Sequence, residues 1–174
     1  MSQNVSLRQW TESDVDSLTK YANNKKIFDN MRDMFPYPYT LTDAENFIKR
    51  VSGDNPTKVF AIDVDGEAIG SVGVFPKEDI SRISAEVGYW VGEPFWGRGY
   101  ATIALKSIID YGFKNFDINR IYAIPFPSNS ASQKVIQKSG LKLEAILKQS
   151  MIKNGIIIDE YIYAILREDW NAMQ

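Results

Sequence analysis

The sequence contains neither cysteine nor histidine in its 174 residues. Without cysteine there is no disulfide, no thiolate nucleophile and no Cys/His zinc site. Without histidine there is no Ser-His-Asp triad. Proton transfer therefore falls to Asp, Glu, Lys, Tyr, a hydroxyl, a terminus or water, and no metal is expected. An excess of one charge is lacking too: the formal net charge of −2 leaves no basic footprint for nucleic acid. No apolar run approaches the roughly 20 residues of a membrane span, and residues 1–10 lack the apolar stretch of a signal peptide. These absences lead us to expect a cytoplasmic protein without a membrane or nucleic-acid partner.

Residues that are 44% hydrophobic and 24% charged suit a globular chain, and the length suits one domain spanning residues 1–174. Residues 5–10 read as a strand. Thr11 with Asp14 opens a helix to about Tyr21. Residues 25–41 break the pattern, since Pro36 and Pro38 among aromatics argue for an ordered loop. Thr42 with Glu45 reads as a capping box that opens a helix to about Val51. Residues 58–64 and 68–75 form a hairpin around Asp65-Gly66. Residues 84–91 are a strand, 99–116 a helix, 120–126 a strand and 130–138 a helix ended by Gly140. Residues 146–152 and 157–166 close the chain as a hairpin around Asn154-Gly155. This order implies an α+β fold with one mixed sheet, helices on both faces and a parallel crossover between residues 84 and 126.

The sharpest feature is the run Trp96, Gly97, Arg98, Gly99, Tyr100, Ala101, Thr102 between a strand and a long helix. Small residues there let successive backbone N–H groups converge on an anion, helped by the helix dipole. Arg98 can add a charge-assisted contact. Three phosphate-binding readings compete. A Walker A loop fails because Arg98 and Gly99 stand where Lys and Ser/Thr are needed. A dinucleotide fingerprint fails at Thr102, which replaces its third glycine. A coenzyme A pyrophosphate loop stays open, beside the plain alternative of a tight turn that holds nothing.

At this point the sequence resembles the GCN5-related N-acetyltransferases, and within them the branch that acetylates ribosomal-protein N-termini. The family's loop reads Gln/Arg-x-x-Gly-x-Gly/Ala, and Gly99 and Ala101 match it. Trp96 departs from Gln/Arg in the manner of the ribosomal branch, which reads Trp-Gly-Lys/Arg-Gly-Tyr-Ala. Asn129 before a short helix and Gly140 after it match the next signature. Pro38, Tyr39 and Thr40 with Asp43, Ala44 and Phe47 resemble the branch's N-terminal pattern. The resemblance implies a single domain with a twisted mixed sheet splayed between its fourth and fifth strands. It also implies acetyl-CoA as cosubstrate and direct attack of an amine on the thioester.

Several residues are then candidates. Pro125 and Pro127 cannot donate ladder hydrogen bonds, so the strands should part beyond about Ile124. Backbone near Tyr89, Trp90 and Val91 could then meet the pantetheine arm. Glu86, a carboxylate in a hydrophobic strand, is the candidate general base; the alternative is an ion pair with Arg82, Arg120 or another cation. Ile136 stands where many relatives carry Tyr, and the resemblance offers Ser132 as the hydroxyl beside the leaving sulfur; the alternative is an ordinary first-turn helix serine. Asn129 would bind pantetheine, cap its helix, or do both. Phe35, Tyr37 and Tyr39 are candidate walls of the acceptor site, with core packing as the alternative. Asp159 is a candidate attractor of an ammonium group, with an exposed strand end as the alternative. An α-amine titrates near pH ~8 and lysine near ~10.4, which favours a peptide N-terminus or a small-molecule amine over lysine. A homodimer stays open. Competing functions are a non-catalytic acyl-CoA-binding module and a nicotinamide-dinucleotide protein.

Overall fold

The computed structural model describes residues 4–174. It contains β1 (Val5–Arg8), α1 (Val15–Ala22), α2 (Lys25–Phe28), α3 (Leu41–Val51), β2 (Val59–Val64), β3 (Glu67–Pro76) and β4 (Ser84–Val91). Then follow α4 (Tyr100–Asn115), β5 (Arg120–Ala123), α5 (Ser130–Lys138), β6 (Lys142–Lys153), β7 (Ile156–Leu166) and α6 (Arg167–Ala172). The fold is α+β. The seven strands lie in the order β1-β2-β3-β4-β5-β7-β6. β4 and β5 run parallel, as a strand-helix-strand connection through α4 requires. The β1–β2, β2–β3, β5–β7 and β6–β7 pairs are antiparallel.

The chain divides into two compact units. One is the chain up to Gly73 together with Tyr89–Ala104; the other is Val74–Gly88 with Leu105–Gln174. In the first, Leu18 and Ala22 of α1, Ala44 and Ile48 of α3 and Ala61 of β2 share one buried cluster. The Asp65-Gly66 turn has both residues at positive φ, 53° and 93°, the mirror-type turn that matches strand twist. Arg8 of β1 ties the unit together: Nε donates to Asp63 at 2.7 Å, and Nη1 and Nη2 donate to the two Asp14 oxygens at 2.7 and 2.8 Å.

In the second unit Leu105, Ile108 and Ile109 of α4 and Ile121 of β5 are fully buried. Each such side chain contributes about 1.5–3 kcal/mol by leaving water. A Cβ at Gly112 would stand 3.1 Å from Ile121 Cδ1 and 3.2 Å from Val74 Cγ2. Glycine there lets α4 lie close to its neighbours. The C-terminal end of α4 and the chain beyond it are held by Arg167, which donates to the carbonyls of Phe113, Phe116 and Ile118.

Several boundaries differ from the sequence reading. The helix after Thr11 begins as a 3-10 turn, Glu12–Asp14. The 25–41 segment is not loop throughout, because Asn24 caps the short helix α2 by accepting the Lys26 N–H at 2.8 Å. The capping box of α3 is Thr40 with Asp43, not Thr42 with Glu45. The Thr40 hydroxyl accepts the Asp43 N–H at 3.2 Å and the Thr40 N–H donates to Asp43 at 2.8 Å, while Ala44, Ile48 and Val51 form the buried face. β5 ends at Ala123 rather than Phe126, ahead of Pro125. β6 starts at Lys142, four residues before its apolar pattern becomes regular, because bulges at Leu143/Ala145 and Leu147/Met151 disturb the period. Helix α6 was not expected.

Candidate functional site

β4 delivers the chain to a 3-10 turn, Glu93–Phe95. The Gly92 N–H donates to Ile69 O at 2.8 Å. Trp96 folds back on the strand end, its Nε1 donating to Val91 O at 2.6 Å and its backbone N–H to Glu93 O at 3.1 Å. Gly97 and Gly99 then take φ of 77° and 83°. A Cβ at either would meet nothing within 4 Å, so backbone conformation and not space demands glycine.

The N–H groups of Thr102 and Ile103 both donate to Gly99 O at 3.1 Å, which opens α4. Among the described residues, none supplies an acceptor to the backbone N–H groups of Gly97, Arg98, Gly99, Tyr100 or Ala101. Five consecutive donors at the positive end of a 16-residue helix make an arrangement that favours an anion. The Arg98 guanidinium lies 5.8 Å over the Phe95 ring. Tyr100 is buried, with its ring 6.5 Å from Phe95.

Tyr89 is half-buried, whereas Trp90 and Val91 are both buried, so the in-out alternation of β4 lapses at its end. The three aromatic residues of the 31–41 loop separate in the same unit. Tyr39 belongs to the core; burial, aided by the Asp43 charge and opposed by Arg50, lifts its phenol to about 12. Phe35 packs between Tyr39 at 5.2 Å and Trp90 at 6.2 Å. Tyr37 is exposed and stacks on Phe28 at 5.4 Å.

The second unit holds the remaining residues singled out in the sequence. The parallel ladder pairs Ser84 with Arg120, Ala85 with Ile121 and Glu86 with Tyr122. It ends there, two residues short of Ile124, while β4 runs on to Val91. Lys77 Nζ donates to Glu86 Oε2 at 3.1 Å. The cation beside Glu86 is thus neither of the two arginines named from sequence. Arg82 donates to Asp79 O at 2.9 Å, and Arg120 pairs with Glu144. Burial alone would lower the Lys77 pKa, but its contacts with Tyr122 and Glu86 outweigh that and hold it above an ordinary lysine. The Tyr122 ring carries Lys77 at 5.6 Å and Arg120 at 4.8 Å.

Asn129 caps α5, its Oδ1 accepting the Ser132 N–H at 3.0 Å. Ser132 is half-buried and Ile136 fully buried. Asp159 faces the β6 bulge, where it accepts the Gln149 N–H at 3.0 Å and Lys148 Nζ at 2.9 Å. Its carboxyl is held below the usual range by those two donors. Among the described residues no group of three acidic side chains is arranged to hold a metal. No helix among them is long and apolar enough to cross a membrane.

Sequence reasoning missed Lys77, although a signal existed. The Lys77 N–H donates to Ser84 O at 2.9 Å, so the two face each other across the β3–β4 connection. Counting on by two puts Glu86 on the face of Ser84. A hairpin register drawn from that connection would have named the pair.

Residues 4–142 match the family model described as an acetyltransferase (GNAT) domain. The chain is 32% identical over 166 residues to the uncharacterized N-acetyltransferase YnaD of Bacillus subtilis (strain 168), covering 95% of both chains. It shares its fold with RimL, a ribosomal L7/L12 α-N-protein acetyltransferase solved with coenzyme A. That match has a TM-score of 0.81 and 23% identity, and covers 95% of each chain. Spermidine N-acetyltransferase from Vibrio cholerae, solved with CoA and spermine, superposes with a TM-score of 0.77 and 21% identity, over 96% of this chain and 98% of that one. With the family model spanning most of the chain and a relative of this identity along nearly its whole length, the chain belongs to the GNAT family of N-acetyltransferases.

Proposed function

We propose that this N-acetyltransferase takes acetyl-CoA and transfers the acetyl group to a protein N-terminal α-amine or a small-molecule amine. The observation that carries this reading is the set of five consecutive backbone donors from Gly97 to Ala101 at the start of α4. They suit a diphosphate, and Arg98 adds charge beside them. Tyr89, Trp90 and Val91 lie beyond the last β4–β5 pair, and the pantetheine arm runs along this stretch in our reading. The family resemblance also assigns Asn129 to coenzyme A.

In the reaction the amine lone pair attacks the thioester carbonyl carbon. A C–N bond forms, the C–S bond breaks, and the amine proton leaves through water to Glu86. The departing thiolate takes a proton from the Ser132 hydroxyl, which water restores. Lys77 keeps the Glu86 carboxylate oriented. Phe35 and Tyr37 form the acceptor side, with Tyr39 buried behind them; Asp159 is the carboxylate we assign to attracting an ammonium group. The RimL likeness supports a peptide N-terminus and the spermidine-enzyme likeness a small amine. An α-amine near pH ~8 needs the least help from a water-relayed base. We read residues 1–174 as one catalytic domain, working in the cytoplasm as a monomer or homodimer.

The test is coenzyme A release from acetyl-CoA with a panel of peptide N-termini, polyamines and lysine peptides. Turnover with an α-amine or a small amine supports the reading, and turnover with lysine alone overturns its acceptor. Tight acetyl-CoA binding with no turnover would instead mark a non-catalytic acyl-CoA module.

A further inference from the structure

The turn that precedes the phosphate-binding residues is bolted to the N-terminal helices by one carboxylate. Glu93 accepts Asn24 Nδ2 at 2.7 Å and also accepts Lys26 Nζ. Those partners lie 69 and 67 residues away in sequence. Asn24 is used at both ends, because its Oδ1 caps α2 through the Lys26 N–H at 2.8 Å. The same turn is seated by apolar contact. Phe95 meets the Tyr21 ring edge-on at 5.2 Å, and a Cβ at Gly92 would stand 3.0 Å from that ring.

Each side of this clasp leads to a segment with a proposed role. From Glu93, three residues along the chain reach Trp96 and the donors that follow. From Lys26, helix α2 reaches Phe28, which stacks on Tyr37 at 5.4 Å, and the loop then continues to Phe35 and Tyr39. Lys26 and Asn24 hold the Glu93 carboxyl below its usual range.

We infer that Glu93 is a positioning residue, which through Asn24 and Lys26 fixes the acceptor-side segment 24–39 to the phosphate-binding turn, so that amine affinity depends on a residue that touches neither substrate. This rests on the acetyl-transfer reading above. A pure stability staple would lower the melting temperature and leave the kinetic constants alone. A positioning residue instead raises KM for the amine while acetyl-CoA affinity holds.

The test uses the full chain and the best amine of the panel. Glu93→Gln keeps an acceptor for Asn24 but loses the charge pair, and Lys26→Met loses the same pair from the other side. Both should raise the amine KM by roughly 5- to 50-fold, with kcat and the acetyl-CoA Kd each within about twofold. The exchange Lys26→Glu with Glu93→Lys restores opposite charges and should recover part of the loss. Unchanged amine KM, or an equal loss of acetyl-CoA affinity, overturns the inference. If the wild-type chain turns over no amine, the acetyl-transfer reading fails separately, and amide hydrogen exchange decides the clasp. Adding acetyl-CoA should then slow exchange at residues 24–31 in the wild type but only at residues 97–103 in Glu93→Gln. No change at 24–31 in the wild type sinks the proposal.

Discussion

Lys77 Nζ stands 3.1 Å from Glu86 Oε2, and the Glu86 side chain is only 14% exposed. Carboxylates paired with a cation occur both in structural ion pairs and in active sites. The two roles separate in kinetics. Glu86→Gln should lower kcat by about 10²–10³ if it receives the amine proton, with acetyl-CoA Kd within about twofold. Lys77→Met should have a smaller effect on kcat, since it loses orientation and not the base. Steady-state rates with calorimetric titration of acetyl-CoA check this; equal small effects of the two variants leave Glu86 a structural ion pair.

The two glycines of the turn before α4 give a second prediction. Gly97→Ala and Gly99→Ala introduce no clash, but each forces a Cβ into positive φ. The fold should lose about 1–2 kcal/mol per site. Relaxation of either residue to negative φ would turn N–H groups away from a common focus. Acetyl-CoA affinity should therefore fall by about tenfold or more, more than the modest drop in melting temperature implies. Calorimetry beside thermal unfolding distinguishes the two effects, and wild-type affinity in both variants would remove this turn from the binding site.

Arg167 supplies a purely structural prediction. Its guanidinium donates to Phe113 O and Ile118 O at 2.6 Å and to Phe116 O at 3.1 Å, and sits 5.2 Å from the Phe113 ring. Phe113 lies in the last turn of α4, where carbonyls lack helical partners, and Phe116 and Ile118 lie just beyond the helix. Arg167→Met should destabilise the fold by about 2–3 kcal/mol, read as a lower urea midpoint, with acetyl-CoA affinity nearly unchanged. Lysine cannot span three carbonyls and should rescue only part of the loss.

Acid stability depends on Asp14. Burial would raise its pKa, but the Arg8 hydrogen bonds and the Thr11 N–H outweigh burial and hold it below an ordinary aspartate. Its folded pKa thus lies below its unfolded value of about 3.9. The stabilisation is complete above that value and is lost as pH falls through the folded pKa. Asp14→Asn should cost about 2–4 kcal/mol near neutral pH, because Arg8 loses its bidentate partner. It should also flatten the decline in stability below pH ~4. Urea midpoints across that range check both; a decline as steep as wild type would assign acid sensitivity to other carboxylates.

Part of the fold was legible because its signals are local. Strand β4 and helix α5 fall where alternation and the Asn129 cap put them, and the Asp65-Gly66 and Asn154-Gly155 turns close their hairpins. Such features depend on residues within a few positions of each other. The α3 start shows the limit. Thr40/Asp43 and Thr42/Glu45 both satisfy the capping-box pattern, and the fold uses the first.

The sequence by itself determined the chemistry on offer: no thiol, no imidazole, a glycine-rich turn ahead of a long helix, and prolines after a strand. Backbone conformation at Gly97 and Gly99 and the missing donors of Pro125 and Pro127 are properties of single residues, so they could be read in advance. Tertiary structure alone decided the partners. Lys77 for Glu86, Asn24 and Lys26 for Glu93, and three carbonyls for Arg167 come from distant segments or from across a strand connection. A charged side chain has many possible counterions along a chain, and only the folded distances choose among them.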